Sequence, residues 1–187
     1  ADGGIYCINT KGKQLWKHQA GASVLGSPVI ENNIVYVGGS DHSFRAIDLA
    51  TGKLIWSFNG LEGPVVSRPV IAGNLVIFGA WDRNLYCLEK QTGKLIWKWN
   101  NGSTVINYSP AACIPVVKDD VVYVVAPDRF LTAINLNSGK TLWRTNEATV
   151  RESVGMSMDG NLVYGKTMQD TVAAFVTNDR KPELAWK

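Results

Sequence analysis

The chain has 187 residues, 45% hydrophobic and 19% charged, a balance that supports a packed core and excludes a disordered polymer. Its net charge of +3, from 19 basic and 16 acidic side chains, is spread without a basic block, so nucleic acid and anionic membrane surfaces gain little support as partners. No apolar run approaches the roughly 18 residues that a membrane helix needs.

The start at Ala1-Asp2-Gly3, without an initiator Met, is that of a processed chain or of a segment inside a longer protein. Two short strands, Ile5-Tyr6-Cys7-Ile8 and a second one reaching Trp16, occupy residues 2–19. In 27–59 the pattern is complete. Ser27-Pro28-Val29-Ile30 is a short strand and Ile34-Val35-Tyr36-Val37 a buried one. Ser43-Phe44-Arg45-Ala46-Ile47 alternates as a half-buried strand does, and Leu54-Ile55-Trp56-Ser57-Phe58 follows a hairpin loop in which Gly52 takes positive φ without a Cβ clash. Residues 68–99 repeat this order, with third strand Leu85-Tyr86-Cys87-Leu88 and a fourth ending at Trp97. Residues 109–145 begin at Ser109-Pro110-Ala111 and end at Trp143, and 153–187 run from Ser153-Val154-Gly155-Met156 to Trp186.

Trp16, Trp56, Trp97, Trp143 and Trp186 stand 40, 41, 46 and 43 residues apart. A period near forty built of four short strands means a radial array of small sheets that cannot bury their faces singly. The fold class is therefore all-β: a β-propeller of four-stranded antiparallel blades. Four blades are full, and 2–19 is the outer half of another. The five tryptophans are expected to dock each blade on its neighbour, each burying on the order of 150–250 Å². An aspartate ahead of each third strand (Asp2, Asp41, Asp82, Asp128, Asp170) is read as a turn former that bonds downstream amides rather than as a ring of metal ligands. Cys7 and Cys87 occupy the position that Ala46 and Ala133 fill in other copies, which suits a small buried apolar role.

Phe44-Arg45-Ala46-Ile47 or Leu85-Tyr86-Cys87-Leu88 followed by Thr-Gly-Lys-Leu-Ile-Trp resembles the quinoprotein-type (PQQ-like) propeller repeat over essentially the whole chain. The resemblance implies a ring of six to eight blades, so these blades are expected to belong to a larger ring or to self-associate through open edges. The family holds pyrroloquinoline-quinone dehydrogenases and also non-catalytic bacterial propellers, among them a lipoprotein of the outer-membrane barrel-assembly machinery. The dehydrogenases carry an adjacent Cys-Cys pair and calcium held by acidic and amide side chains. This chain has no adjacent cysteines, and no such cluster can be assigned residue by residue.

No catalytic, cofactor or metal residues are therefore assigned. His18 and His42 stand without a Ser or Cys partner at triad spacing, and no phosphate-cradling Gly-rich loop leads into a helix. Binding is expected on the loop rim. The loops into the innermost strands carry Arg68, Tyr108 and Arg151, and the loops before the third strands carry His42, Trp81, Arg83 and Arg129. The expected function is a non-catalytic binding or scaffold module, with an extracytoplasmic bacterial setting, that presents this rim to a protein or small ligand. Two alternatives are a fragment of a dehydrogenase using pyrroloquinoline quinone with Ca²⁺, and an accessory propeller of a larger hydrolase or kinase.

Overall fold

Each run of β-branched and aromatic residues forms a strand, and each strand pairs antiparallel with its neighbour in the chain. A computed structural model describes residues 2–102, 113–125 and 128–187, the side chain of Glu152 excepted. β1 (Gly4–Ile8) and β2 (Gln14–Gln19) form a two-stranded ribbon. The first sheet holds β3 (Val29–Glu31), β4 (Ile34–Gly38), β5 (Phe44–Asp48) and β6 (Leu54–Phe58). The second holds β7 (Val70–Ala72), β8 (Leu75–Gly79), β9 (Leu85–Glu89) and β10 (Leu95–Trp99). The third holds β11 (Val116–Lys118), β12 (Val121–Val125), β13 (Leu131–Asn135) and β14 (Thr141–Thr145). The fourth holds β15 (Val150–Met156), β16 (Leu162–Thr167), β17 (Val172–Val176) and β18 (Leu184–Trp186). No described residue is helical, so the fold is all-β, with four meander blades and an outer half-blade.

Local boundaries differ from the sequence expectation in two places. Ser109-Pro110-Ala111 lies outside the described residues, and the strand that pairs with β12 is Val116–Lys118. β15 begins at Val150, which takes Arg151 out of the expected loop and into the strand. Pro28 and Pro69 each directly precede a first strand, where a missing N–H costs no ladder bond.

Alternation along the strands buries both sheet faces. Val35, Val37 and Ile47 pack with Ile5 and Trp16 of the half-blade. Tyr36, Phe44 and Ala46 turn the other way and meet Val76, Phe78, Tyr86 and Leu88 of the second blade. There the rings of Phe44 and Phe78 stack at 3.9 Å. Ile77, Leu85 and Cys87 turn on to the third blade in the same manner.

The register explains the recurring small residue. Ala46 sits between Tyr36 and Trp56, Ala133 between Tyr123 and Trp143, Ala174 between Tyr164 and Trp186, and Cys87 between Ile77 and Trp97. A short side chain in the middle lets its neighbours lean together over it. The Tyr–Trp centroids lie 6.1, 5.9 and 6.0 Å apart in the three blades that carry the pair, tilted as aromatic pairs prefer. Burial pushes the Cys87 thiol up to about 12, so it behaves as an apolar filler.

Each tryptophan also reaches into the next blade. The indole Nε1 of Trp16 donates to Leu49 O at 2.8 Å, that of Trp56 to Lys90 O at 3.1 Å, and that of Trp97 to Leu136 O at 2.7 Å. Trp143 donates to Asn178 O at 3.0 Å. In the first three joints the acceptor belongs to the turn between third and fourth strands, whose glycine takes φ of +72° (Gly52), +73° (Gly93) or +69° (Gly139). A Cβ on those glycines would stand 2.5–2.7 Å from the docked indole, so glycine serves both the turn and the joint. His18 and Trp99, two residues beyond Trp16 and Trp97, add contacts to Gly52 O (3.2 Å) and Thr141 Oγ1 (2.8 Å). Trp186 is 49% exposed, and its ring pairs with Tyr164 of its own blade.

Candidate functional site

In a four-stranded meander, the loop between second and third strands and the crossover into the next sheet emerge on one side. Backbone bonds join them. Val65 N–H donates to Gly39 O (3.2 Å), Trp81 N–H to Pro64 O (3.0 Å), and Met168 N–H to Thr149 O (3.2 Å). The two candidate surfaces read from the sequence, one with Arg68 and Arg151 and the other with His42, Trp81, Arg83 and Arg129, therefore share one loop face. Tyr108 lies outside the described residues.

The aspartates build this face. Asp2, Asp82 and Asp128 accept the amide two residues on, at 2.9, 3.0 and 3.3 Å. Asp41 and Asp82 also accept an amide from the incoming crossover, Gly21 N–H at 2.8 Å and Glu62 N–H at 3.1 Å, and so tie consecutive blades together. Arg45, itself buried within β5, closes on Asp41 at 2.5 Å. Burial by itself would raise the Asp41 pKa, but the Arg45 guanidinium and the Gly21 amide outweigh it and hold the carboxyl below the usual carboxylate range. Tyr86 OH donates to Asp82 (2.6 Å) and Arg144 to Asp128 (2.5 Å). Asp170 does not align with the others. It lies one place later in its turn, where Lys166 at 3.0 Å holds its pKa low, with a further contribution from the charge of Arg151.

That later place has a backbone signature. Gly3 (φ +73°), His42 (+58°), Arg83 (+73°), Arg129 (+67°) and Asp170 (+57°) occupy the same left-handed position in successive turns. Glycine takes this conformation freely, whereas a side chain there costs about 1–2 kcal/mol. Three consecutive blades nevertheless carry His or Arg there. Sequence periodicity aligned the turns, but nothing in it distinguished this position from its neighbours.

Two depressions are formed, and Arg83 of the row lines one of them. Glu62, Asp82, Arg83, Asn84, Lys98 and Asn100 line a polar hollow of about 360 Å³. Nearer the axis, β3, β7 and β11 converge on a groove of about 350 Å³, lined by Ile30, Glu31, Arg68, Val70, Ile114 and Pro115 among others. Arg68 is exposed there beside two outward-facing isoleucines, Ile30 and Ile114. Glu31 is held in place by Lys90, which also donates to Gly73 O at 2.7 Å. Among the described residues, Arg129 and Arg151 line neither depression.

The repeat family described as "Outer membrane protein assembly factor BamB" matches residues 1–80 and again 60–180. The chain belongs to this family of PQQ-like propellers. No curated protein sequence matches it. The fold is similar to that of BamB from Moraxella catarrhalis, with TM-score 0.68 and 18% identity over 88% of this chain and 53% of that one. It is also similar to two computationally designed proteins. Ika4 has TM-score 0.70 and 18% identity over 85% of this chain and 94% of that one. Ika8 has TM-score 0.74 and 19% identity over 94% and 53%. The chain thus spans about half the length of the BamB structure.

Quinone chemistry in this wider repeat class calls for a calcium site and an adjacent cysteine pair. Here Cys7, Cys87 and Cys113 belong to three different blades, and among the described residues no three His, Cys, Asp or Glu side chains converge to hold a metal. Burial pushes the Cys113 thiol up to about 12, with its sulfur facing Val125 N–H at 3.3 Å.

Proposed function

We propose that the chain is a binding and scaffold module whose loop face receives a protein partner. The observation that carries this reading is the row His42, Arg83 and Arg129, three side chains kept in a strained turn position that glycine would fill at no cost. A groove on the innermost strands supplies what a protein segment needs: Arg68 for a carboxylate, and exposed isoleucines for an apolar anchor. Membership in a family described as an outer membrane protein assembly factor agrees with a partner that is a protein.

A photo-crosslinking residue at position 83 or 129, compared with one at Lys53 or Lys140 on the opposite face, tests it in cells producing the chain. Adducts to other proteins from the loop face, and few from the opposite face, support the reading. Adducts from the opposite face alone, or none from positions 83 and 129, overturn it.

A further inference from the structure

We propose that the groove on the innermost strands receives the free C-terminus of a partner polypeptide, its terminal carboxylate on Arg68 and its last apolar residues against the isoleucines. This rests on the reading above that the partner is a protein, and narrows that partner to a chain end. The described lining comes from residues 29–116, so the site does not depend on where the sequence begins or ends.

Charge selects the carboxylate. Of the described residues that line the groove, Glu31 and Arg68 are charged. Glu31 is neutralised by its ion pair with Lys90. Arg68 is exposed, and among the described residues no hydrogen bond or ion pair reaches its guanidinium. The residue ahead of the first-strand proline is Ser27, Arg68 and Ile114 in successive blades, so the repeat itself does not call for a cation there. An unpaired guanidinium offers the fork that a carboxylate fits. Ile30 and Ile114, 56% and 38% exposed, belong to the same lining. A chain end sets its charge beside its last apolar side chain on one residue, whereas Asp or Glu brings the charge alone. At about 350 Å³ the groove is at the small end of ligand sites, room for a chain end rather than for a folded surface.

Backbone geometry selects a polypeptide. β3 and β7 are end strands of their sheets, each paired along one edge. Two-residue loops close the hairpins at 32–33 and 73–74, and the pairs flanking such loops, Glu31 with Ile34 and Ala72 with Leu75, are the hydrogen-bonded ones. Pairs alternate along an antiparallel ladder, so Ile30 and Ile71 turn their N–H and C=O to the open edge. Both residues line the groove, and among the described residues no backbone bond reaches those edges. An extended peptide brings matching N–H and C=O groups to such an edge, as a bare acyl carboxylate cannot.

Fluorescence anisotropy tests the site with a panel of N-terminally fluorescein-labelled octapeptides ending in two residues drawn from Val, Ile, Leu and Phe. Each is made with a free carboxylate and with a C-terminal amide. At least one free acid is expected to bind, and its amide to bind about 10-fold or more weakly. Arg68→Gln should weaken the free acid to the level of the amide and leave the amide unchanged, whereas Ile30→Ser should weaken both. Both side chains are exposed, so unchanged melting of the two variants separates loss of binding from loss of fold. Octanoate, an apolar carboxylate without peptide groups, should not displace the bound peptide at matching concentration. Binding by no free acid, equal binding of acid and amide, a difference between them that survives Arg68→Gln, unchanged affinity in Ile30→Ser, or displacement by octanoate overturns the proposal. Crosslinks from position 83 or 129 without panel binding overturn it and leave the loop-face reading standing; panel binding without those crosslinks does the reverse.

Discussion

Replacing Gly93 by Ala and Gly12 by Ala puts the same methyl group on a left-handed glycine between third and fourth strands, once beneath a docked indole and once where no described atom lies within 4 Å. The backbone cost is shared, because φ is +73° and +78° and alanine in that region costs about 1–2 kcal/mol. Only Gly93 adds a contact cost. Its Cβ would lie 2.5 Å from Trp56 Cε3. The ring must retreat by about 1 Å to reach ordinary carbon separation. Overpacking of this kind costs about 1–3 kcal/mol, and stretching the 3.1 Å bond to Lys90 O removes part of a further 0.5–1.5 kcal/mol or so. Gly93→Ala should therefore cost about 3–5 kcal/mol and Gly12→Ala about 1–2 kcal/mol. Urea unfolding gives both numbers. Adding Trp56→Ala should cancel most of the excess at Gly93, a coupling of about 2 kcal/mol in the double-mutant cycle. Equal costs at the two glycines, or an additive cycle, would refute the view that the indole joints hold the blades together.

Arg83→Gly relieves the left-handed strain and should leave urea stability unchanged or higher by up to about 1 kcal/mol, while reducing crosslinking or partner capture at the loop face; a large loss of stability would show Arg83 to be structural. The Asp41 carboxyl is held below its ordinary value, so its contribution to stability is complete above about pH 4 and is lost as pH falls through the lowered folded value. Asp41→Asn should flatten that acid limb in urea titrations between about pH 2 and 5, and an unchanged slope would remove the Arg45 pair from the account. Cys7 is half-buried whereas Cys87 and Cys113 are buried with raised pKa values, so a thiol reagent at neutral pH should modify Cys7 first and the others only on unfolding. Fast modification of Cys113 in the folded protein would contradict its placement.

The all-β class and the four-stranded repeat were legible because strands declare themselves locally, as in Ile34-Val35-Tyr36-Val37 opening after two asparagines with positive φ. The recurrence of tryptophan after Gly-Lys was equally plain, yet its acceptor carbonyl was not, because Leu49 and Leu136 contribute backbone atoms that no side-chain pattern marks. Asp170 shows the limit of alignment by eye. It shares a residue type with Asp41 but occupies the place of His42, as its φ and its spacing of two rather than three residues from the third strand both reveal. The pairing of Asp41 with Arg45 was likewise hidden, since alternation predicts that Arg45 faces one side of β5 without saying what meets it.

Sequence alone determined the strands, their order and their period, because side-chain alternation and turn chemistry act over a few residues and repeat with the blade. Tertiary structure decided which residues share the loop face and which glycines carry an indole. Those facts depend on how one sheet meets the next, and that meeting is set by packing between residues thirty to forty positions apart, as in the span from Trp97 to Leu136.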